Sequence, residues 1–489
     1  MSKKVVVIGS GFSGLSAACF LAKQGCEVTV LEKNDSIGGR ARKFNADGFT
    51  FDMGPSWYWM PEVFENFFNA FGKNVSDYYE LVRLDPSYKI YFSESDIMEV
   101  PAKQQDLYDM FEKYEAGSSQ KLDAFLNEAA YKYKVGMEEF VYKPGHNLME
   151  FADTRVLSSL FKLQMFSSIS KTIRSNFKND KLRQLLEFPV LFLGATPENT
   201  PALYSLMNYA DMKLGTWYPK GGMHKIIEGF ASLARELGVE IKLNEKVEEI
   251  IIPNGLAKKV RTTHNVFDCE VIVGGADYHH IEQQLLNKEH RMYSAEYWDK
   301  RVMAPSSLLF YLGVNKKLKN LDHHNLFFDA DFEKHAEEIY THPAWPSDPL
   351  FYVCAPSLTD GTVAPEGMEN LFVLIPLAPN IEDNEENREK YYQIVMDRLE
   401  KNTGQSIKDF VIYKRSFAHR DFKEDYNSFK GNAYGLANTL MQTAFMKPKM
   451  RSKKVPNLFY TGQLTTPGPG VPPSIISGEV VAKEVAKYF

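Results

Sequence analysis

The chain predicts an α/β fold with three parts: a parallel-sheet domain, a second domain on a mixed sheet, and a helical region. Three observations carry this. An apolar β-branched run, Val5 to Ile8, leads directly into a glycine turn and a helix. Residues 104–188 turn to helical spacing, and residues 300–440 alternate strand-like runs (Ser307 to Val314, Leu371 to Pro376) with a polar helix near Asn384 to Lys401. A chain of 489 residues also has room for several units of roughly 150 residues. It buries enough surface to fold without disulfides or a structural metal.

Composition narrows the function classes. Four cysteines (Cys19, Cys26, Cys269, Cys354) lack CxxC spacing, which excludes a disulfide scaffold or zinc module and fits a reducing compartment. A net charge of −6 argues against nucleic acid as a partner. No apolar run approaches the roughly 18–20 residues that span a bilayer. The leading apolar run, Val5 to Ile8, is too short for a secretory signal, so the expected location is cytoplasmic. Aromatic residues make up 13% of the chain, which suits either a large apolar cavity or ordinary core packing.

The N-terminal elements fall in a meaningful order. The strand Val5 to Ile8 is followed by Gly9-Ser10-Gly11-Phe12-Ser13-Gly14, a helix to about Gln24, a second strand Val28 to Leu31, and Glu32. Gly9 permits the tight turn, Gly11 lets backbone approach a pyrophosphate, and Gly14 lets helix and strand pack closely, with small Ala18 one turn on. The helix N-terminus offers N–H groups and partial positive charge to phosphates. Glu32 can accept hydrogen bonds from a ribose diol, and its charge would repel a 2′-phosphate. Gly38-Gly39-Arg40 follows, with glycines that allow close approach and an arginine that pairs with phosphate. The stretch Val5 to Arg40 resembles the extended fingerprint of the FAD-dependent amine oxidase and carotenoid desaturase superfamily, which implies FAD rather than NAD.

Further along, Phe51-Asp52-Met53-Gly54-Pro55-Ser56 resembles that superfamily's loop past the flavin ring. Trp57, Tyr58, Trp59 and Met60 follow, either as the wall of a substrate tunnel or as a packed corner; Trp217 and Tyr218 are further tunnel candidates. Asp153 to Phe188 carries apolar residues at three-and-four spacing with seven basic residues against three acids. It reads either as an interfacial membrane helix or as a packed helix with a basic solvated face, broken near residues 175–180. Gly215 to Met223 opens a helix from Ile226 to Leu237, and strands Val239 to Leu243 and Val247 to Ile252 follow. Val271 to Asp277 reads as another parallel strand with a glycine exit. At the C-terminus, the strand Asn457 to Gly462 leads into Gln463-Leu464-Thr465-Thr466-Pro467-Gly468-Pro469-Gly470-Val471-Pro472-Pro473 and a helix from Ser474 to about Lys487. The glycines let this loop pass close to a flat ring, and Pro473 near the first helical position sets φ.

Taken together, the four motifs resemble, in family order and over essentially the whole chain, the bacterial-type phytoene desaturases of the carotenoid desaturase family, with the nearest likeness to Bacteroidetes-type members. The resemblance implies a discontinuous Rossmann-like FAD-binding domain (1–75, 215–300, 445–489), a mixed-sheet substrate domain (76–110, 301–444) and a helical, membrane-contacting region (111–214). It implies cofactor contacts at Gly9, Gly11, Gly14, Glu32, Lys33, Gly39, Arg40, Gly54, Pro55, Ser56, Val247, Gly462, Gly470 and Val471. Val247 would hold the adenine through its backbone.

The reaction implied is phytoene desaturation toward lycopene. Flavin N5 can accept the hydride, and the allylic cation left behind is delocalised along the polyene, so the protein supplies a dry, shaped tunnel. The implied partners are a long apolar polyene, a membrane surface met peripherally, and quinone or oxygen as electron acceptor. The catalytic residues stay unassigned and no metal site is expected, because His279-His280 and His323-His324 lack metal spacing and read as surface or loop residues. Three alternatives stay open: a 3,4-desaturase of a later, hydroxylated carotenoid; an amine oxidase, though Gln463 to Pro473 lacks that family's cysteine or aromatic cage; and a non-enzymatic prenyl-protein escort of the same fold.

Overall fold

The computed structural model describes residues 2–147, 167–191 and 196–489. Its first layer is a five-stranded parallel sheet. The order is Leu458–Tyr460, Val271–Gly274, Lys4–Ile8, Glu27–Leu31 and Glu240–Lys242, so segments far apart in sequence lie side by side. Alternate side chains of the first strand enter two different cores. Val5 and Val7 pack with the helices Phe12–Lys23 and Val471–Tyr488, whereas Val6 and Ile8 pack with Tyr278 and Trp298 on the other face. Burial of both faces explains why Val5 to Ile8 and Val271 to Val273, in the middle of the sheet, read as unbroken apolar runs, whereas the edge strand Glu240–Lys242 does not.

The two helices on one face approach closely because small residues line their contact. A methyl group added at Gly478 would come within 2.6 Å of the Ser13 carbonyl oxygen, and Ser16 Oγ donates to the Ile475 carbonyl at 2.7 Å. The C-terminal helix begins at Val471, three residues before the position expected from sequence. Prolines are tolerated in the first turn, where their missing N–H groups would have had no helical partner.

A seven-stranded mixed sheet forms the second layer, in the order Val411–Phe417, Ser306–Val314, Glu369–Leu377, Phe351–Cys354, His324–Phe327, Tyr88–Ser93, Asp96–Val100. Only the pairing of His324–Phe327 with Tyr88–Ser93 is parallel. Along the buried strand Ser306–Val314, Leu309 and Tyr311 face the core shared with the parallel sheet. Leu308, Phe310 and Leu312 face a separate core against the helix Glu385–Thr403. Val247–Ile251 joins a three-stranded antiparallel sheet with Lys259–Thr262 and Val266–Asp268.

Helices Gln104–Tyr114, Ser118–Val135, Ile169–Asn176 and Asp180–Leu191 make up the helical part. The basic stretch from Asp153 lies outside the described residues as far as 166. From Ser168 it forms two helices broken at Phe177 to Asn179, near the break expected from its Ser, Asn and Asp content. Ile169, Ile173 and Phe177 are fully buried, and Arg174 pairs with Glu187 and Glu333. Among the described residues no helix is long and apolar enough to cross a membrane.

Candidate functional site

One cavity of ≈ 1030 Å³ opens at the carboxyl ends of the parallel strands, between the two sheets and the helical part. In open α/β sheets this is where ligands bind, because helix N-termini and loop backbone converge there. Of the fourteen cofactor candidates, thirteen line this cavity: Gly9, Gly11, Glu32, Lys33, Gly39, Arg40, Gly54, Pro55, Ser56, Val247, Gly462, Gly470 and Val471. Gly14 lies behind them, where an added Cβ would fall 2.1 Å from the Gly9 carbonyl oxygen.

The turn at the first strand is shaped for an anion. Gly9 sits at φ +97°, a conformation that favours glycine. A Cβ on Gly11 would meet no atom within 4 Å, so that backbone faces open space. The helix Phe12–Lys23 that begins there has no side-chain cap and no acid in its first turn, so its positive end is left uncompensated. Arg40 brings a full charge into the same cavity. Its Nη2 donates to Ser428 Oγ at 3.1 Å, the guanidinium lies over the Tyr426 ring at 5.3 Å, and Gln463 accepts two of its N–H groups at 3.0 and 3.3 Å. Arg40 Nε is buried with no partner among the described residues. An open glycine cradle, an uncapped helix end and an arginine with an unused N–H fit the pyrophosphate of a dinucleotide.

Glu32 is 4% exposed and already fixed. One carboxylate oxygen accepts from Ser10 N at 3.0 Å and Ser10 Oγ at 2.6 Å; the other accepts from Asn34 N and Nδ2, both at 3.0 Å. The orientation of its carboxylate is therefore set by the protein itself. Ser10 and Asn34 were missed as site residues from sequence, although both lie within the fingerprint, between its first two glycines and two positions after Glu32. Lys33 reaches the Glu424 carbonyl, and Glu245, two residues before Val247, holds Thr262 and Asn265.

Asp277 was also missed, although the strand-glycine-acid pattern of Val271 to Asp277 was its signal. It accepts from His280 N at 3.1 Å and Phe429 N at 3.3 Å and lies in the electrostatic field of Arg40, yet burial still raises its carboxyl to about 6.

The loop Phe51 to Ser56 is tied to two other motifs. A Cβ on Gly54 would fall 2.6 Å from the Arg40 carbonyl oxygen. Asp52 accepts from Met223 N at 2.7 Å and His224 N at 2.9 Å, at the start of the helix His224–Glu236. Burial raises the Asp52 carboxyl to about 6 against the lowering pull of those bonds.

The aromatic candidates separate. Trp57 and Trp59 line the cavity; Tyr58, Trp217 and Tyr218 do not. Tyr58 is fully buried against Phe64, with its hydroxyl 3.0 Å from that of Tyr79. Trp217 donates to the Leu214 carbonyl at 3.0 Å, and Tyr218 donates to Asp360 at 3.3 Å. Trp59 is held by a buried chain: its indole N–H donates to Thr216 Oγ1 at 2.9 Å, Thr216 donates to Asp211 at 3.3 Å, and Tyr88 donates to Asp211 at 2.6 Å. Beyond the tryptophans the walls are apolar, with Tyr133, Met137, Leu206 and Met207 on one side and Leu309, Phe372 and Leu374 on the other.

The histidine expectation needs correction. His279 and His280 are half-buried, but His323 and His324 are buried, at 4% and 0% exposure. His324 lies in a strand inside the mixed sheet, between Phe351–Cys354 and Tyr88–Ser93, and His323 sits in the loop that leads into that strand and is buried with it.

The cradle, the parallel sheet and the cavity define a dinucleotide-binding architecture, and sequence comparison gives the family. The chain belongs to the flavin containing amine oxidoreductase family, whose model matches residues 12–486. It is 42% identical over 482 residues to a carotenoid 3,4-desaturase of Haloarcula japonica, covering 98% of this chain and 97% of the relative. It is 30% identical over 490 residues to a zeta-carotene-forming phytoene desaturase of Myxococcus xanthus, covering 99% and 94%. An oxidoreductase from Methanosarcina mazei shares the fold, with a TM-score of 0.65 at 17% identity over 99% of this chain and 100% of that one. The chain is thus an oxidoreductase of the carotenoid-desaturase type, and its family supports FAD as the cofactor.

Proposed function

We propose that this protein is an FAD-dependent carotenoid desaturase that introduces a 3,4 double bond into a late, hydroxylated carotenoid. The observation that carries the desaturase reading is the single cavity running from the glycine cradle past Trp57 and Trp59 into an apolar chamber. The 3,4 position is favoured over phytoene, the substrate expected from sequence, by 42% identity to the Haloarcula enzyme against 30% to the phytoene desaturase.

Bound FAD would supply the hydride acceptor for the dehydrogenation. Gly11, the end of the helix Phe12–Lys23 and Arg40 would hold its pyrophosphate, and Glu32 its adenosine ribose. Gly54 to Ser56 and Gly470 to Val471 would pass along the ring. At the helix Val471–Tyr488, Pro472 and Pro473 lack N–H groups, so Val471 N–H is the donor left at the first three positions. Trp57, Trp59 and the apolar walls would orient the polyene and exclude water from its reacting carbons.

A substrate this apolar arrives from lipid. Met441 supports a lipid-facing rim, since it lines the cavity and is 72% exposed.

The test is product analysis with FAD-loaded protein in liposomes containing a quinone, offering a 1-hydroxylated acyclic carotenoid or phytoene in parallel. The expected result is loss of two hydrogens at carbons 3 and 4 of the hydroxylated substrate, with phytoene unchanged. Conversion of phytoene alone would restore the phytoene reading. Conversion of neither would remove both.

A further inference from the structure

We propose that His323, His324 and Cys354 form a binding site for a Zn²⁺ ion behind the wall of the substrate cavity. The sheet brings them together. His324 opens the strand His324–Phe327 and is the direct cross-strand partner of Cys354, which ends Phe351–Cys354. His323 immediately precedes that strand. A ring nitrogen of each histidine and Cys354 Sγ all lie within 4.8 Å of one another, and all three residues are at most 4% exposed.

The hydrogen bonds leave one ring nitrogen of each histidine over. His323 Nδ1 is 2.8 Å from Thr359 Oγ1, and His324 Nδ1 is 2.6 Å from the Tyr352 hydroxyl. Both Nε2 atoms are buried with no partner among the described residues. An unpaired buried polar atom costs about 1–3 kcal/mol, so two on adjacent residues call for an explanation. Metal-ligating histidines commonly engage one ring nitrogen with a neighbouring oxygen and leave the other for the ion.

The neighbourhood suits a cation. A second cavity of ≈ 20 Å³ is bounded by two of the three residues, His323 and Cys354, together with Asp52, Ser56 and Tyr218, with His324 outside its lining; it has room for one water or ion, which needs about 10–15 Å³. Asp360 acts on His323 electrostatically, and Asp52 stands on the cavity wall, so acids are at hand to offset the charge. Two imidazoles and a thiolate are a donor set that Zn²⁺ favours, with a water completing the tetrahedron. Zn–N and Zn–S distances of about 2.0–2.3 Å place ligand atoms about 3.4–3.7 Å apart, so the side chains would close by about 1 Å. Cys354, held as a thiol by burial, would release its proton on binding. The His324 ring stacks on Trp57 at 4.1 Å and 10°, so the ion would brace a residue that lines the large cavity.

The test loads full-length, flavin-bound protein with Zn²⁺, or with Co²⁺ as a coloured substitute, then desalts it and measures metal content by mass spectrometry. The expected result is about one equivalent of either metal per chain, with a near-ultraviolet thiolate-to-cobalt charge-transfer band. Cys354→Ser should abolish that band, and His323→Gln should weaken metal retention at least about tenfold, with the flavin absorbance unchanged as the control for folding. Wild-type protein holding less than about 0.1 equivalent, or cobalt bound without the band, would overturn the proposal. Equal retention by both variants would overturn it too. The cobalt spectrum of the wild type reads cysteine ligation directly, even where a variant fails to fold.

Discussion

A single methyl group, added at Gly11 or at Gly14, separates binding from folding at the glycine turn. Gly11 has φ −71° and ψ 177°, which any residue adopts, and its Cβ would meet nothing within 4 Å. In Gly11→Ala the unfolded chain loses about 0.4–1 kcal/mol of backbone freedom. Alanine in place of glycine at the helix cap costs a similar amount. The flavin-free protein should therefore melt within about 1 kcal/mol of wild type, while the methyl occupies the space proposed for the pyrophosphate. FAD affinity should fall at least about tenfold, or 1.4 kcal/mol. At Gly14 the order reverses. Its Cβ would lie 2.1 Å from the Gly9 carbonyl oxygen, and relieving that overlap requires a shift of more than about 1 Å between two packed backbones. Overpacking of this kind costs about 1–3 kcal/mol or more, so Gly14→Ala should lower the melting temperature of the flavin-free protein itself. Thermal denaturation of flavin-free samples and fluorescence titration with FAD read the two effects separately. Unchanged FAD affinity in Gly11→Ala would refute the placement of the phosphates, and an unchanged melt in Gly14→Ala would refute the rigidity of the strand-helix contact.

Glu32→Ala should weaken FAD binding and also destabilise the flavin-free fold by about 2–4 kcal/mol, because Ser10 and Asn34 lose their acceptor; flavin retained at wild-type affinity would remove the ribose contact. Burial raises the Asp211 carboxyl to about 7, so its contribution to stability is full below the unfolded value near 3.8 and is lost as pH rises toward 7. Asp211→Asn should therefore gain on wild type by about 3 kcal/mol between pH 5 and 8 in urea unfolding, and a difference independent of pH would contradict this. Reversing the exposed Lys171 and Lys178 to glutamate leaves the Arg174 pairs with Glu187 and Glu333 intact. At about 1 kcal/mol per basic residue near an anionic surface, sedimentation with anionic vesicles should drop about tenfold or more, and equal sedimentation would assign these helices to packing alone.

What sequence alone determined is local. The order of strand, glycine turn, helix, strand and acid lies within about thirty residues, and each glycine there has a task set by its neighbours along the chain. The C-terminal loop and helix are legible for the same reason, and the break near Phe177 follows from residues that compete with helix hydrogen bonds. Sequence offered Arg40 a phosphate to bind but not the Ser428, Tyr426 and Gln463 that hold it, because those contacts join distant parts of the chain. It grouped Trp57, Tyr58 and Trp59, whereas strand and loop geometry turns Tyr58 away from the cavity and the other two toward it. It read His323 and His324 as surface or loop residues, because adjacent histidines carry no periodic signal. Only the pairing of His324 with Cys354 inside a seven-stranded sheet buries them together. Spacing along a chain records what backbone geometry requires of near neighbours. Which distant side chains share a wall or a lone pair's direction is decided when the sheets pack, since long-range contacts depend on register and burial that one segment does not encode.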